Sequence, residues 1–383
     1  MLLFMQILMM ADTPPNPDSG AAGTEYQTML ALRRMGHQVD MVWAEDLPHR
    51  IRHGNLHYLL ELPLGYRRVM LKRLQDKRYD VVHCNQPHGY LAARALGGLA
   101  HKPVFVHRSH GFEPRVRDVL RPWIKKFGLR RSWLKSGYSR CMAAALEINN
   151  IGVARFADGH IVSASLCADF LEKNYSVAPE RITVIPQAPP AIFQDTEAPV
   201  IDSLRLNRVL YVGQFALFKA PMILASAFDE IVEAQPLATL TWVCDARHHA
   251  EAAALLSPKA RARTTLLPWV AQDKLIEIYD SHGIFLFPSF FEGFGKVFLE
   301  AMARGLVVVA SAEGGARDVI ESGQNGILVS PGDASAMASA VLNVQRDPFW
   351  AEKLSCQARA SALTYTWDRV AQETTAFYER LIG

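Results

Sequence analysis

Short apolar runs alternate with longer segments of helical period through the first half of the chain. The apolar runs predict strands at 3–11, 39–43, 80–84, 103–107, 159–163 and 181–185. Between these runs, apolar residues recur three or four positions apart and predict helices at 24–35, 66–77, 88–98, 140–156 and 165–174. This alternation is typical of βαβ units and predicts a doubly wound parallel sheet.

The apolar start of the chain, MLLFMQILMM, has two interpretations. A secretory signal peptide would need a positively charged start and a small-residue cleavage pattern, and the sequence shows neither. A buried first strand of a parallel sheet accounts for the run better, because such strands are apolar on both faces. We therefore expect a strand here.

The segment 186–207 interrupts the rhythm, with four prolines among its first fourteen residues. Proline and polar residues at this density are typical of a linker. The rhythm then restarts, with strands predicted at 208–213, 239–244, 264–267, 283–287 and 306–310. Helices are predicted at 220–235, 271–281, 295–304, 314–322, 333–346, 348–363 and 367–382. The sequence therefore predicts two α/β domains of similar size.

Composition narrows the classes of protein to consider. A chain of 383 residues is too long for one ordinary core, which also favours two domains. The formal net charge of +3 gives no reason to expect a nucleic-acid partner. The five cysteines are scattered without a C-x-x-C pair, which disfavours a disulfide framework or a structural zinc site and indicates a reducing cytoplasm.

The stretch PSFFEGFGKVFLEAMARG, residues 288–305, places two glutamates eight positions apart around a Gly-Phe-Gly turn. Free amides at the start of the following helix favour a phosphate or diphosphate. Glu300 would lie about 7–8 Å further along that helix, where a carboxylate can accept from ribose hydroxyls. Alternatively, Glu292 is a surface loop residue and Glu300 an exposed helix residue. The apolar neighbours of Glu300 argue against exposure, because a carboxylate on such a face requires a partner.

Residues 288–333 resemble the donor-binding block of GT-B glycosyltransferases of the family 4 type. The shared pattern is P-S-x-x-E-G-F-G, a second Glu eight residues after the first, A-M-A-x-G, then G-G and N-G. Looser similarity extends over nearly the whole chain. The resemblance implies two Rossmann-like doubly wound domains facing across a cleft. It divides the chain into a first domain at 1–190, completed by a C-terminal helix at 366–383, a linker at 191–207, and a nucleotide-sugar-binding domain at 208–365.

The resemblance also implies roles for the residues of the donor block. Glu292 would contact the transferred sugar and Glu300 the ribose. The turn between them would contact the sugar and the diphosphate, which makes donor-binding candidates of Gly293, Phe294, Gly295, Lys296 and Val297. Glu292 is also a candidate catalytic residue. It could act as a covalent nucleophile, although departure and attack on the same face of the sugar is usually favoured in this family.

The stretch YVGQFALFKA, residues 211–220, resembles a second family motif, G-R-x-x-x-x-K-G. Lys219 matches the cation that stabilises the leaving diphosphate, and Gly213 precedes the position of the arginine. Gln214 stands where Arg is expected and Ala220 where Gly is expected, so charge at the leaving group is reduced. Lys219 could instead be a loop residue without a ligand. Val270 lies in the loop that in this family borders the nucleotide base.

Two further motifs lie in the first domain. His110, in VHRSHGFEPR, resembles the histidine at a strand end that approaches the donor sugar in this family. A histidine considered alone is more often structural. Gly20 and Gly23 fall in the first loop, where the family places a glycine pair over the donor phosphate; that pair is altered here to Ser-Gly-Ala-Ala-Gly.

Residues 115–140 carry nine Lys or Arg against one acid, with Trp and Phe at helical spacing. Basic amphipathic segments of this kind bind anionic membrane surfaces. A solvated face of a packed helix has the same composition. The segment is therefore a candidate membrane contact on the inner face of a membrane, and no stretch is long and apolar enough to span one.

The chain contains no Asp-x-Asp sequence, the usual metal-holding motif of GT-A enzymes, and its His and Cys lack metal-ligand spacing. We expect no metal or other cofactor, with the nucleotide-sugar as co-substrate. The predicted activity is a retaining, metal-independent transfer of a sugar to a glycan or lipid-linked acceptor in polysaccharide or envelope biosynthesis. Two alternatives are a catalytically silent GT-B homologue acting as a binding subunit and a sugar-nucleotide epimerase.

Overall fold

The computed structural model describes residues 4–17, 20–111, 113–128 and 133–383. The chain divides into two compact units. Unit 1 comprises Met1–Gln187 together with Trp367–Gly383, and unit 2 comprises Ala188–Thr366.

Unit 1 contains a six-stranded parallel sheet in the order β2-β1-β3-β4-β5-β6. Its strands are β1 (Gln6–Met10), β2 (Gln38–Val42), β3 (Val81–Asn85), β4 (Val104–Ser109), β5 (Gly159–Val162) and β6 (Ile182–Val184). β1 pairs with both β2 and β3, so the apolar start of the chain forms a strand inside the sheet. The strand order reverses between β1 and β3, and ligands of open α/β sheets bind at such a reversal.

Helices connect the strands of unit 1. They are α1 (Gly20–Arg34), α2 (Gly54–Leu56), α3 (Leu62–Asp76), α4 (Tyr90–Leu96), α5 (Glu113–Lys126), α6 (Trp133–Phe156), α7 (Ser165–Tyr175) and α17 (Trp367–Ile382). A π-helical turn at His57–Glu61 joins α2 to α3. Of the candidate membrane segment 115–140, residues 129–132 lie outside the described part, and the side chains of 133–140 are likewise not described.

Unit 2 contains a second six-stranded parallel sheet, in the order β12-β11-β10-β7-β8-β9. Its strands are β7 (Arg208–Val212), β8 (Thr239–Val243), β9 (Thr264–Leu267), β10 (Ile284–Phe287), β11 (Val307–Ser311) and β12 (Ile327–Val329). The predicted α/β class with two doubly wound parallel sheets is confirmed. β12 was not predicted, because three half-buried residues at a sheet edge carry no periodic signal.

Helices also cover the sheet of unit 2. They are α8 (Ser203–Leu206), α9 (Pro221–Ala234), α10 (His249–Leu255), α11 (Pro258–Arg261), α12 (Gln272–Asp280), α13 (Lys296–Ala303), α14 (Gly314–Val319), α15 (Ala334–Arg346) and α16 (Pro348–Ala362). Separate apolar cores lie on the two faces of this sheet, one including Phe228 and Trp242 and the other Phe285 and Phe298. This double burial explains why its strands are continuous apolar runs rather than alternating ones.

The segment predicted as a linker, 191–207, is packed within unit 2. Phe193 is buried with its ring 5.6 Å from that of Tyr279. The buried Arg304 guanidinium donates to the carbonyl oxygens of Thr196 and Glu197 at 3.0 and 2.9 Å. The prolines therefore mark a segment of irregular but fixed backbone, because its carbonyls are bonded to a side chain rather than to water.

α17 packs on unit 1, far in sequence from the rest of that unit. Asp368 pairs with Arg34 of α1 at 2.7 Å, and His37 Nε2 lies 3.1 Å from Thr375 Oγ1. The Tyr378 hydroxyl contacts the imidazole of His83 on β3. Among the described residues, no helix is both long and apolar enough to cross a membrane.

Candidate functional site

The strand order of unit 2 reverses between β7 and β10, where the two predicted donor motifs meet. The loop after β7 holds residues 213–220, and the loop after β10 holds 288–295. The amides of Phe290 and Phe291 both donate to the carbonyl oxygen of Phe218, at 2.9 and 3.2 Å. The two loops are thereby joined directly at the carboxyl ends of their strands.

Lys219 and Glu292 form an ion pair across these loops. Lys219 Nζ lies 2.5 Å from Glu292 Oε1, and the Ser289 hydroxyl donates to the same oxygen at 2.7 Å. Both side chains are largely shielded from water, with exposed fractions of 15 and 6%. The ammonium also lies 5.6–5.7 Å from the rings of Phe218 and Phe287. A shielded cation with fixed geometry acts more strongly on an anion than one in water.

Gly314 and Gly315 hold the loop that carries Glu292. A Cβ on Gly314 would lie 2.5 Å from Glu292 Cβ, and one on Gly315 would lie 2.2 Å from the ring of Phe294. The Gly315 amide donates to the Phe294 carbonyl at 3.0 Å. In the sequence this glycine pair was only part of a motif. The structure shows that the two glycines leave room for Glu292 and Phe294 to pack against them.

The glycine turn begins α13. Gly295 has φ +94°, a conformation that favours glycine, and caps the helix. The Phe294 side chain is buried in the core beside Phe298, with ring centroids 5.6 Å apart. Phe294 can therefore meet a ligand only through its backbone. Gly293, Lys296 and Val297 are half-buried, and the Val297 carbonyl accepts from Tyr279 at 3.3 Å.

Glu300 is buried on α13, contrary to the alternative interpretation of an exposed helix residue. The Tyr279 hydroxyl of α12 donates to Glu300 Oε2 at 3.1 Å. Burial raises the pKa of Glu300, although the Lys296 ammonium and the Tyr279 hydroxyl oppose the shift. Burial and the adjacent carboxylate raise the pKa of Tyr279 well above its usual value, so it stays a hydrogen-bond donor. Sequence reasoning missed Tyr279. Its spacing among the apolar residues of α12 indicates a buried side chain but not a partner for Glu300.

The remaining donor candidates of unit 2 differ in their surroundings. Gly213 is buried, and a Cβ there would lie 2.6 Å from the Tyr211 hydroxyl. Gln214 is exposed, and Val270 is half-buried in the loop between β9 and α12. Ala220 caps α9 with φ and ψ both 52°, the left-handed conformation that the usual glycine adopts without strain. Gly213 is therefore constrained by the Tyr211 side chain and Ala220 by its own backbone conformation, whereas the Gln214 side chain is exposed.

In unit 1, His110 follows β4 and its Nε2 contacts the carboxylate of Glu25 on α1. Its Nδ1 lies 3.4 Å from Gln187 Nε2. Burial raises the pKa of Glu25, but the charges of His110 and Arg108 outweigh burial and lower it to about 2. Arg108 is itself fully buried. Sequence reasoning missed Glu25, because nothing local in α1 distinguishes it from a surface acid.

The two glycines of the first loop have different environments. Contrary to the expected loop, Gly23 lies within α1; a Cβ there would lie 2.5 Å from the Pro17 carbonyl oxygen, so glycine is required where the helix passes Pro17. Gly20 is exposed at the start of α1, and a Cβ there would have no neighbour within 4 Å. After β1 and β3, Asp12 and His88 lie 3.6 Å apart where the order of the first sheet reverses. In the part of the chain that the structure describes, no three His, Cys, Asp or Glu side chains converge as metal ligands.

Two family models match the chain, one to each unit. The model described as "Glycosyltransferase Family 4" matches residues 19–188, and the model described as "Glycosyl transferases group 1" matches residues 207–347. The two matches lie on either side of the segment at 189–206.

Individual relatives and structures agree with the models. The chain is 28% identical over 244 residues to a D-inositol 3-phosphate glycosyltransferase of Rhodococcus opacus (strain B4), covering 60% of this chain and 54% of that protein. The match thus spans about half the length of that relative. Sucrose-phosphate synthase from Thermosynechococcus elongatus has the same fold, with TM-score 0.74, 22% identity and coverage of 98 and 99%. The Anabaena protein HepE, solved with UDP and glucose, gives TM-score 0.66, 17% identity and coverage of 97 and 98%.

Proposed function

The chain belongs to the glycosyl transferases of group 1 and family 4, and from that premise we propose that it transfers a sugar from a nucleoside-diphosphate donor to an acceptor hydroxyl. The observation that carries the proposal is the shielded Lys219–Glu292 pair at the strand-order reversal, together with the start of α13 and the buried Glu300. The Lys219 cation and the start of α13 can bind a diphosphate, and the Glu300 carboxylate further along the helix can bind a ribose.

The donor is proposed to lie along these groups. Glu292 contacts the transferred sugar, and Glu300 accepts from the ribose hydroxyls. The diphosphate meets the amides of Gly293–Gly295 and of Lys296 and Val297 at the helix start. HepE binds UDP and glucose on the same fold, which supports a nucleotide-sugar for this chain. Gly213 and Gln214 are proposed to border the phosphates and Val270 the base.

Lys219 is proposed to stabilise the leaving group. As the bond from the anomeric carbon to the diphosphate oxygen breaks, the ammonium of Lys219 balances the charge that develops on that oxygen. The acceptor oxygen forms the new bond on the same face of the sugar, and its proton passes to the departing diphosphate. Because attack and departure share one face, the configuration at the anomeric carbon is retained. The Glu292 oxygen bonded to Lys219 and Ser289 is a weakened nucleophile, which supports this route over a covalent intermediate. Because Lys219 and helix amides can meet the leaving-group charge, the transfer is proposed to need no metal.

Unit 1 is proposed to serve the acceptor side. His110 is its candidate catalytic residue, and Gly20 and Gly23, in the first turn of α1, are proposed to approach the donor phosphate. The acceptor is proposed to be a glycan or a lipid-linked sugar used in polysaccharide or envelope biosynthesis. The proposed location is the cytoplasm, peripheral on the inner membrane face through segment 115–140; within its described part, Arg117, Arg121 and Lys125 are exposed.

A second candidate function is a catalytically silent homologue that binds a nucleotide-sugar without transfer. The exposed, uncharged Gln214 favours it, because the usual arginine would add a second cation at the leaving group. The epimerase alternative has no comparable support, since it needs a general base at the sugar.

The test is calorimetry with UDP-, GDP- and ADP-sugars, followed by nucleotide release with and without a membrane-lipid extract. We expect one donor class to bind and the extract to accelerate nucleotide release. Glu300→Ala should weaken donor binding by about 1.5–3 kcal/mol, the value of hydrogen bonds to a charged group. Glu352→Ala on the exposed face of α16 is the control and should leave affinity unchanged.

The outcomes separate the candidates. Equal affinity in Glu300→Ala and Glu352→Ala would contradict the ribose assignment. Tight donor binding without turnover for any acceptor would favour the silent homologue. Binding of no nucleotide-sugar would contradict both.

A further inference from the structure

One face of unit 1 combines exposed apolar side chains with cations. Leu56, Leu60 and Leu64 follow one another at intervals of four along α2, the π-helical turn and α3, and they are 37, 52 and 55% exposed. Residues four apart on a helix lie on one side. Leucines exposed to this degree in a row are unusual on a soluble surface and mark a contact.

The neighbouring helix α6 extends this surface. Ile148 and Ile151 are 51 and 54% exposed and lie three residues apart on α6. Between them, the Asn149 side-chain amide donates to the Tyr58 carbonyl at 3.2 Å, so α6 lies against the π-helical turn. We call Leu56, Leu60, Leu64, Ile148 and Ile151 together the α3/α6 face.

Charge around the α3/α6 face has one sign. Between residues 50 and 75 the exposed charged side chains are all cations: Arg50, Arg52, Arg67, Arg68 and Lys72. The one carboxylate of that stretch, Glu61, accepts from the amides of Arg50 and Ile51 at 2.8 Å and pairs with His57. On α6, Glu147 is held by Arg117 and Tyr175. Glu61 and Glu147 are therefore already paired, and cations predominate around the face as far as the exposed Asp76 at the end of α3.

We propose that the α3/α6 face docks on an anionic lipid bilayer, with its leucines and isoleucines entering the boundary between headgroups and acyl chains. An apolar stripe fringed by Arg and Lys matches such a surface in both hydrophobicity and charge. A second copy of the chain fits less well, because a two-fold contact would place the same cations against each other. This surface shares helix α6 with segment 115–140, whose Arg117 pairs with Glu147, and it does not depend on donor chemistry.

The experiment is flotation of the full chain with vesicles of phosphatidylcholine alone or mixed with phosphatidylglycerol, without a sugar donor. We expect binding to the anionic vesicles and little to the neutral ones, with loss of binding as salt rises. Leu60→Ser with Leu64→Ser should lower binding about tenfold or more, because both side chains lose apolar burial. Arg67→Glu with Arg68→Glu should lower it by a similar factor, since each cation near the surface contributes roughly fivefold.

Matched controls lie in unit 2. Leu204 and Leu237 are 60 and 65% exposed, so Leu204→Ser with Leu237→Ser removes equal apolar exposure elsewhere. This pair should bind vesicles like the unaltered protein. All variants should keep the same unfolding temperature and the same donor affinity by calorimetry, which separates lipid docking from the proposed transfer.

Three results would overturn the proposal. They are failure of the protein to bind anionic vesicles, binding to neutral vesicles that equals binding to anionic ones, and a loss of vesicle binding in the unit 2 control pair that equals the loss in Leu60→Ser with Leu64→Ser. Light scattering without lipid adds a fourth: a dimer that Leu60→Ser with Leu64→Ser converts to a monomer would assign the face to a second copy.

Discussion

Two buried charges of this protein are each balanced by groups from a distant part of the chain. Glu292 meets Lys219 at the end of the neighbouring strand β7. Glu25 on α1 lies against His110, and the charges of His110 and then of the buried Arg108 lower its pKa. A charge removed from water is tolerated only with such a partner, so each pair constrains the loops that carry it.

Glu25→Gln should destabilise unit 1 by about 3–5 kcal/mol, because it leaves the guanidinium of Arg108 buried without a counter-charge. Arg108 donates to Thr28 Oγ1 at 3.3 Å, while its Nε and Nη2 have no hydrogen-bond partner among the described residues. The measurement is urea unfolding. Lys102→Gln, which removes the half-exposed Lys102–Asp158 pair, is the control and should cost less than about 1 kcal/mol. Equal losses in the free energy of unfolding for Glu25→Gln and Lys102→Gln would show that Glu25 is not the counter-charge of Arg108.

Ala220 carries strain that its usual glycine would lack. Its left-handed backbone costs an L-residue about 1–2 kcal/mol. Ala220→Gly removes that strain but also a buried methyl worth about 0.8 kcal/mol. The net change in the free energy of unfolding should therefore lie between zero and a gain of about 1 kcal/mol. Ala225→Gly, inside α9, loses a buried methyl and helix propensity together and should cost about 1–2 kcal/mol. Thermal unfolding of both variants checks the difference; equal destabilisation would mean that Ala220 is unstrained.

At the scale of elements, α13 carries the proposed donor-binding residues at its start and the anchoring Arg304 at its end. Arg304 follows the helix and is almost fully buried. It donates to the Asp280 carboxylate of α12 at 2.7 and 2.9 Å and to the carbonyls of Thr196 and Glu197. One side chain thus joins α12, α13 and the proline-rich segment. The prolines remove backbone donors, and the arginine supplies donors to the carbonyls that remain.

Arg304→Met should free this segment and destabilise unit 2 by about 3 kcal/mol, since it removes the hydrogen bonds of Arg304 to the Asp280 carboxylate and to the two carbonyls, and bonds to a charged group are worth about 1.5–3 kcal/mol. Hydrogen exchange is the measurement, and the amides of 193–197 should exchange faster while those of β8 do not. The control is Arg346→Met at the exposed end of α15. Unchanged exchange at 193–197 would contradict the role of Arg304 as an anchor.

At the scale of the whole molecule, unit 1 concentrates buried histidines. Burial lowers the pKa of His83 and His88 to about 4, of His160 to about 3, and of His107 well below 6.5. In unit 2, His282 has a pKa lowered to about 4, again chiefly by burial. These side chains stay neutral in the folded state under conditions in which the unfolded chain takes up protons.

Unit 1 should therefore lose stability as the pH falls from about 6.5 toward 4, by up to about 1.4 kcal/mol per pH unit for each such histidine. The sign follows because the unfolded state binds more protons in this window. Burial raises the pKa of Asp12, so protonation of this carboxylate in the folded state opposes the loss of stability, but it is one group against several histidines. Calorimetry across this range should show unit 1 losing stability faster than unit 2. His282→Gln should leave the slope of unit 1 unchanged. A pH-independent unit 1 would contradict neutral burial of these histidines.

Local pattern in the sequence determined the secondary structure that gives the fold its class. Buried parallel strands are continuous apolar runs, and 283–287 and 306–310 show that pattern without any knowledge of neighbours. The donor motif was equally local, because a glycine turn and the helix after it lie in one stretch of chain. The limits of the pattern were also local: β12 was too short to show a period, and the prolines of 191–207 suggested a linker.

Only the tertiary structure decided which side chains meet. Strand order brings the loops after β7 and β10 together and so pairs Lys219 with Glu292. It likewise places Gly314 against Glu292, Tyr279 against Glu300, and Glu25 against His110. Periodicity reports which face of an element is buried, whereas partners are selected by the order of strands in the sheet and by close packing between elements. That order is a property of the folded chain as a whole.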